Sequence, residues 1–306
     1  MDIAMVGLGR MGGNMSRRIA LGGHRVVACD PSEPARRALD SVADVQTTAS
    51  LSDAVAAVPA PRVVWVMLPA GEVTDSVVAE LAELLEPGDL VVDGGNAFYR
   101  DSQQRGTLLA ERGVHFVDAG VSGGVWGLSE GYGLMVGGAA DDISLLSPVL
   151  QTLAPSPDSG WVHAGPVGAG HFAKMVHNGI EYGLMQAYAE GFALLHARDD
   201  LVADVAAVAE AWRDGTVIRS WLLDLAAGVL QQDPSLDDVA PEVADSGEGR
   251  WTVHEAVDLG VPAPVITAAL YDRFASQGRA DYGDKLLAKL RHAFGGHAVN
   301  AADKAP

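Results

Sequence analysis

The stretch Ile3-Ala4-Met5-Val6-Gly7-Leu8-Gly9-Arg10-Met11-Gly12 decides the fold. A short apolar run enters the pattern G-x-G-x-x-G, and an amphipathic stretch opens directly after it. A Rossmann βα turn requires that order. Glycines without Cβ atoms let backbone N–H groups approach a pyrophosphate at the N-terminus of the helix that follows. Taken alone, the six residues fit any tight strand–helix turn. The apolar run before them and the helical pattern after them make a dinucleotide site the expectation. Gly7, Leu8, Gly9, Arg10, Met11 and Gly12 are the first cofactor-binding candidates.

The same alternation continues outward. Strand patterns cover residues 3–7, 25–29, 63–68, 90–93, 115–119 and 133–136. Helical patterns lie between them at 11–21, 34–40, 51–56, 73–85 and 102–112. Strand alternating with helix predicts an α/β fold: a Rossmann-type, doubly wound, mainly parallel sheet in an N-terminal domain over 1–165. Pro155, Pro157 and the run Gly165-Pro166-Val167-Gly168-Ala169-Gly170 break the alternation. Residues 166–306 then read as an all-α domain, with helices near 171–196, 202–214, 217–230, 252–259, 264–276 and 284–293.

Three further places fall on the edge where a dinucleotide lies in such a sheet. The second strand ends at Asp30-Pro31-Ser32. A carboxylate there accepts hydrogen bonds from adenosine ribose hydroxyls and repels a 2′-phosphate, which favours NAD over NADP; an Asp that only caps a turn is the competing reading. Leu68, Pro69 and Ala70 follow the strand near 63–68. Asn96 closes Asp93-Gly94-Gly95-Asn96 and offers an amide at the nicotinamide end.

Composition narrows the classes. The chain has 306 residues, 48% of them hydrophobic, enough for a large core in two domains. The single cysteine, Cys29, forms no intramolecular disulfide, which fits a reducing compartment. The N-terminal run shows no basic segment of a secretory leader, and no uncharged apolar run is long enough to span a bilayer, so a cytoplasmic protein is expected. A formal net charge of -19 disfavours nucleic acid and anionic membranes as partners. An anionic substrate then needs a local cationic cluster, for which Arg250, Arg273, Arg291 and His297 are candidates. The histidines are scattered, with no paired-cysteine or H-E-x-x-H spacing, so no metal is expected.

The chemistry concentrates in Lys174-Met175-Val176-His177-Asn178-Gly179-Ile180-Glu181-Tyr182. On an α-helix, Lys174, His177, Asn178 and Glu181 share one face. Desolvation disfavours an ammonium, so a lysine buried beside a cofactor suits a general base on a hydroxyl, with Glu181 as a second proton donor. A solvated Lys/Glu face is the plainer reading of such a stripe; the apolar flanks and the intervening amide and imidazole argue against it. Gly179 and Gly183 lie on the neighbouring face and permit close packing against another element. Upstream, Ser122-Gly123-Gly124 offers open backbone N–H groups as an anion nest.

These segments, with Gly168-Ala169-Gly170-His171-Phe172-Ala173 leading into Lys174, resemble the 6-phosphogluconate dehydrogenases, and the length is similar to their short, NAD-preferring form. The resemblance implies oxidative decarboxylation of 6-phospho-D-gluconate to D-ribulose 5-phosphate. Lys174 is then the base, Glu181 the acid, and Asn178 a companion of both. Asn96, Ser122, Gly123, Gly124, His177, Asn178 and Tyr182 match substrate contacts, and Arg273 a phosphate contact. The tail Arg291-His292-Ala293-Phe294-Gly295-Gly296-His297 resembles a segment that reaches a neighbouring subunit, which implies a homo-oligomer, dimer or tetramer. Two departures stand out. Ser246 occupies a position where longer members carry a phosphate-binding lysine, leaving Arg250 as the substitute. Asp30-Pro31-Ser32 lacks the arginine that holds an NADP 2′-phosphate. The alternatives are a β-hydroxyacid dehydrogenase for a small unphosphorylated 3-hydroxy acid and a non-catalytic NAD-binding regulator.

Overall fold

The computed structural model describes residues 1–296 and 298–300. It divides into two compact units, Met1–His177 and Asn178–Pro306. The first alternates strands and helices: β1 (Asp2–Val6), α1 (Arg10–Leu21), β2 (Arg25–Cys29), α2 (Glu33–Arg37), β3 (Val45–Thr48), α3 (Leu51–Ala56), β4 (Val63–Val66), α4 (Glu72–Leu84), β5 (Leu90–Asp93), α5 (Tyr99–Ala110), β6 (His115–Ser122), α6 (Gly127–Glu130), β7 (Gly133–Gly137), α7 (Ala140–Leu153) and β8 (Trp161–Gly165). Helix α8 (Ala169–His196) runs on into the second unit. There it is followed by α9 (Val205–Arg213), α10 (Trp221–Gln232), α11 (Glu248–Asp258), α12 (Pro264–Ser276) and α13 (Asp281–Gly295).

The strands form one sheet in the order β3-β2-β1-β4-β5-β6-β7-β8. All neighbours are parallel except β6 and β7. This is the expected doubly wound α/β architecture, mainly parallel, with helices after it. Both faces of the sheet are covered, which explains the continuous apolar runs. Ile3 and Met5 of β1 join one buried cluster with Trp65, Leu90 and Val92. Ala4 and Val6 join the opposite one with Val64, Val66 and Val91. Alternate residues of a strand point to opposite faces, so a strand buried on both faces has no polar position to spare.

The structure corrects several expected elements. Strand β6 continues to Ser122, past the end expected at residue 119, because Ser122 pairs with Gly133 of the antiparallel β7. Strands β3 and β8 were not expected. They flank the sheet, and their residues are half-buried or exposed, so they lack the apolar signature of a central strand. Helix α7 was hidden by Pro148 in its interior. A proline inside a helix leaves the carbonyl four residues earlier without its N–H partner. Here the Ser147 hydroxyl donates to the Ser144 carbonyl at 2.9 Å and takes that place.

The second unit has small cores. Tyr182, Ala269 and Leu270 form one, and Ala209, Ala227 and Leu230 another. Gly179 and Gly183 of α8 act there as their spacing suggests. A Cβ on Gly179 would meet Thr252 of α11 at 2.7 Å, and one on Gly183 would meet Val265 of α12 at 3.3 Å.

At the strand–helix turn the backbone itself is close-packed. Gly7 has φ +93°, and a Cβ added to Gly12 would lie 1.9 Å from the Gly7 carbonyl oxygen. Gly12→Ala is therefore expected to lower the unfolding temperature by about 5 °C or more, since each kcal/mol of strain shifts a chain of this size by roughly 2–4 °C. Differential scanning calorimetry showing an unchanged midpoint would refute this account of the turn.

Candidate active site

The glycine turn ends β1 and opens α1, whose N-cap, Gly9, makes no side-chain capping bond. A Cβ on Gly9 would meet nothing within 4 Å, so the first turn of α1 is open to a ligand. Leu8 is buried, Arg10 exposed and Met11 half-buried. At the end of β2, Asp30 accepts the Leu8 N–H at 2.7 Å through Oδ2 and the Ser32 N–H at 2.8 Å through Oδ1. The carboxylate thus ties the β2 turn to the glycine turn; Asp30 is half-buried, and Pro31 and Ser32 beside it are exposed. Arg36 donates to the carbonyls of Asp30 and Pro31 at 2.6 and 2.9 Å. Leu68 is half-buried and Ala70 exposed beyond β4, while the Pro69 carbonyl accepts the Thr74 hydroxyl at 2.8 Å. These residues fit a dinucleotide: an uncapped helix N-terminus, room above Gly9, and a carboxylate at the end of the second strand.

Next along the sheet, Asp93 ends β5 fully buried. Its Oδ1 accepts the Gly95 N–H at 3.1 Å, and its Oδ2 pairs with Arg105 at 2.8 Å. This fixes the turn that presents exposed Asn96. On β6, Ser122 leads into Gly123 and Gly124, with φ of +126° and +51°. A cleft of about 440 Å³ is lined by Ser122, Gly123 and His177 together with Met135, Trp161 and Val162. The structure thus brings the serine–glycine segment and the imidazole of α8 to one place.

Lys174 is 9% exposed. Its Nζ lies 3.5 Å from Nδ1 of His177. Its stem passes over β6 at Gly120, where an added Cβ would meet the Lys174 Cβ at 2.4 Å and the Gly170 carbonyl oxygen at 2.8 Å. Sequence reasoning passed over Asp118 and Ser102. Asp118 is fully buried in β6 and accepts the N–H of Gly168 at 2.6 Å and of His171 at 2.7 Å. Burial pushes its carboxyl above the ordinary range, against the pull of His171 and the two N–H groups. His171 Nδ1 meets Ser102 Oγ at 2.6 Å. A carboxylate inside an apolar strand was the available signal, because a buried charge needs partners.

In the second unit, Asn178 is buried and Glu181 half-buried, both on α8. Tyr182 is 6% exposed, with its hydroxyl 3.5 Å from Asp245 and 3.4 Å from Ser246. The Arg273 guanidinium lies 3.6 Å from the centre of the Tyr182 ring and donates to the Ala244 carbonyl. Arg250 pairs with Asp245 and sits 4.7 Å above the Phe274 ring. Burial pushes Asp245 up, but Arg250, the Gly247 N–H and Tyr182 outweigh it and hold the carboxyl below its ordinary value. Ser246 itself donates to Glu248 at 2.6 Å. Arg291 is exposed on α13, and His297 lies outside the described residues. Among the described residues no group of His, Cys, Asp or Glu could hold a metal ion, and no helix is long and apolar enough to cross a membrane.

A Rossmann-type sheet leading into a long helix is the architecture of the β-hydroxyacid dehydrogenase superfamily, to which the family matches assign the chain. Residues 2–164 match the family model for the NAD binding domain of 6-phosphogluconate dehydrogenase, and residues 170–303 match that for its C-terminal domain. The chain is 41% identical over 305 residues to the NAD(+)-dependent, decarboxylating 6-phosphogluconate dehydrogenase of Haloferax volcanii, covering 99% of this chain and 100% of that protein. It is 38% identical over 299 residues to a putative 6-phosphogluconate dehydrogenase, YqeC, of Bacillus subtilis, covering 98% and 99%. The structure of Plasmodium falciparum 6-phosphogluconate dehydrogenase matches with a TM-score of 0.83 at 26% identity, covering 100% of this chain and 67% of that one. The chain belongs to the 6-phosphogluconate dehydrogenase family.

The contact at Gly120 has a measurable consequence. Gly120→Ala forces α8 away from β6, and with Lys174 as the expected base, displacing its amine by about 1 Å costs roughly 10²-fold in rate. The variant is expected to bind dinucleotide as the parent does and to lose turnover on that scale. An unchanged kcat would show that the close approach does not matter to Lys174.

Proposed function

We propose that this protein catalyses the oxidative decarboxylation of 6-phospho-D-gluconate to D-ribulose 5-phosphate and CO2, with NAD as the acceptor. The observation that carries this reading is Lys174, a buried amine whose stem rests on Gly120, on a helix that also bears Asn178 and Glu181. Bound NAD supplies the two-electron acceptor for the C3 hydride. Gly7, Leu8, Gly9, Arg10, Met11 and Gly12 hold its pyrophosphate, Asp30 with Pro31 and Ser32 its adenosine ribose, and Leu68, Pro69, Ala70 and Asn96 the stretch toward the nicotinamide.

Lys174 Nζ, unprotonated at the outset, takes the proton of the C3 hydroxyl as the C3 hydride leaves. The β-keto acid then loses CO2. Lys174 returns its proton to the C3 oxygen, so the electrons of the broken C–C bond are held in an enediol. The Glu181 carboxyl protonates C1 of that enediol while Lys174 takes back the proton of the adjacent hydroxyl, which yields the ketose, and Asn178 keeps the hydroxyls oriented between the two proton-transfer groups. Ser122, Gly123, Gly124, His177 and Asn96 bind the sugar acid. Tyr182, Arg273 and Arg250 meet the phosphate, and Arg291 and His297 come from a neighbouring subunit. The bare surface of α13 supports that last step: it buries no residue and leaves Tyr282, Leu287 and Phe294 largely exposed.

The preference for NAD rests on Asp30 and on the absence of an arginine in the Asp30-Pro31-Ser32 turn. Asp30→Ala combined with Pro31→Arg is expected to move the NADP/NAD ratio of kcat/KM upward by about tenfold, the value of one charge-assisted hydrogen bond. A ratio that stays put would mean that Asp30 serves the turn alone. The central test is Lys174→Met assayed with 6-phosphogluconate and, separately, 3-hydroxyisobutyrate. Loss of a general base costs about 10²–10⁴-fold, so turnover of the first should fall on that scale while NAD affinity holds. CO2 release from the phosphorylated acid at parental rates, or parental turnover of the unphosphorylated one alone, would overturn the assignment.

A further inference from the structure

Asp118, Gly120 and Ser122 are alternate residues of β6 and therefore share one face of the sheet. Each serves the site differently. Gly120 lies under the Lys174 stem, and Ser122 lines the cleft with His177. Asp118 spends both carboxylate oxygens on the start of α8. Gly168 immediately precedes the helix and His171 lies in its first turn, so the two N–H groups that Asp118 accepts belong to the set a helix cannot satisfy internally. Helix N-termini usually take their cap from a residue adjacent in sequence; here the cap comes from the sheet.

The electrostatics single out Asp118 further. Its register partner on the neighbouring parallel strand is Asp93, so two carboxyl groups project side by side from β5 and β6. Asp93 is matched by Arg105. Asp118 faces the positive end of the α8 dipole instead. Ser102 adds a second tether through the His171 ring. Lys174 stands one turn beyond His171, so a displacement of the first turn is carried to its amine through an unbroken helical ladder.

We propose that Asp118 is a positioning residue: its carboxylate clamps the first turn of α8 to β6 and so sets where the Lys174 amine stands relative to Ser122. The inference rests on the reading of Lys174 as the base, yet it can be tested apart from turnover. In Asp118→Asn one amide oxygen remains to accept, while the NH2 group opposes the second N–H donor. The protein without cofactor is labelled with trinitrobenzenesulfonate, and the rate at Lys174 is read by mass spectrometry alongside amide exchange at His171, circular dichroism, NAD affinity, kcat and KM. The variant is expected to keep its circular dichroism and NAD affinity and to exchange the His171 amide faster. Its labelling rate should change by at least about threefold, and its kcat should fall by about tenfold or more while KM changes little, as misplacement of a reacting group dictates. A parental labelling rate in folded protein overturns the proposal whatever happens to kcat. An altered labelling rate supports it, and if Lys174→Met were nonetheless active, the failure would lie in the base assignment alone. Should Asp118→Asn not fold, Ser102→Ala releases the second tether and is expected to shift the same labelling rate by about twofold, the scale of one neutral hydrogen bond; no shift there overturns the proposal too. Asp118→Glu, which keeps the charge and both acceptors, should restore more of kcat than Asp118→Ala, and the reverse order counts against a clamp.

Discussion

The Lys174 amine, proposed as the base, needs a fixed address, and in this molecule the address is set where α8 meets β6. Two kinds of contact meet there. One is polar: the buried Asp118 carboxylate takes up two N–H groups at the start of the helix. The other is steric: the missing side chain at Gly120 lets the Lys174 stem lie on the strand. A lysine carries several rotatable bonds, so its amine is held by fixing the backbone beneath it and burying the stem. Both contacts belong to one face of one strand, which makes them mutually dependent: moving the strand moves both.

The rest of the first unit keeps that strand where it is. β6 is hydrogen-bonded to β5 on one side and to β7 on the other, and apolar clusters cover both faces of the sheet. The strand ends are pinned by carboxylates in a recurring way. Asp30 binds the glycine turn, Asp93 binds its own turn and Arg105, and Asp118 binds α8. Asp30 and Asp93 sit at the C-terminal ends of the parallel strands β2 and β5, the edge where α/β sheets bind ligands, and Asp118 lies level with Asp93 in the middle of β6. A buried carboxylate is a costly device, and it is stable here because each is matched by backbone N–H groups, an arginine or a helix terminus.

How much of this was legible beforehand depended on whether the signal was local. The glycine turn was readable because the glycines, the apolar run before them and the helix after them are contiguous. The Lys174 stripe was readable because helical spacing turns sequence distance into facing side chains. The flanking strands β3 and β8 carry half-exposed residues and therefore no apolar run, and the Pro148 helix needed the Ser147 hydroxyl to rescue it. The Asp118 clamp joins residues about fifty apart in sequence, so its geometry could not be read from spacing. The bond between His171 and Ser102 was invisible for the same reason. Ser122 was placed in a loop because its pairing with β7 depends on a strand that had yet to fold against it.

The second unit raises a different physical problem. The chain carries a formal charge of -19, so long-range electrostatics repel an anion, and a phosphate must be met by charges held locally. Arg250 already pairs with Asp245, which spends much of its field. Arg273 is held another way, by the Tyr182 ring and the Ala244 carbonyl, and Arg250 and Arg279 both lie against the ring of Phe274, at 4.7 and 5.6 Å. An aromatic face orients a guanidinium without neutralising it. With Ser246 turned to Glu248, the proposed phosphate contact therefore falls first on Arg273, which is held by a ring and a carbonyl, and only second on Arg250.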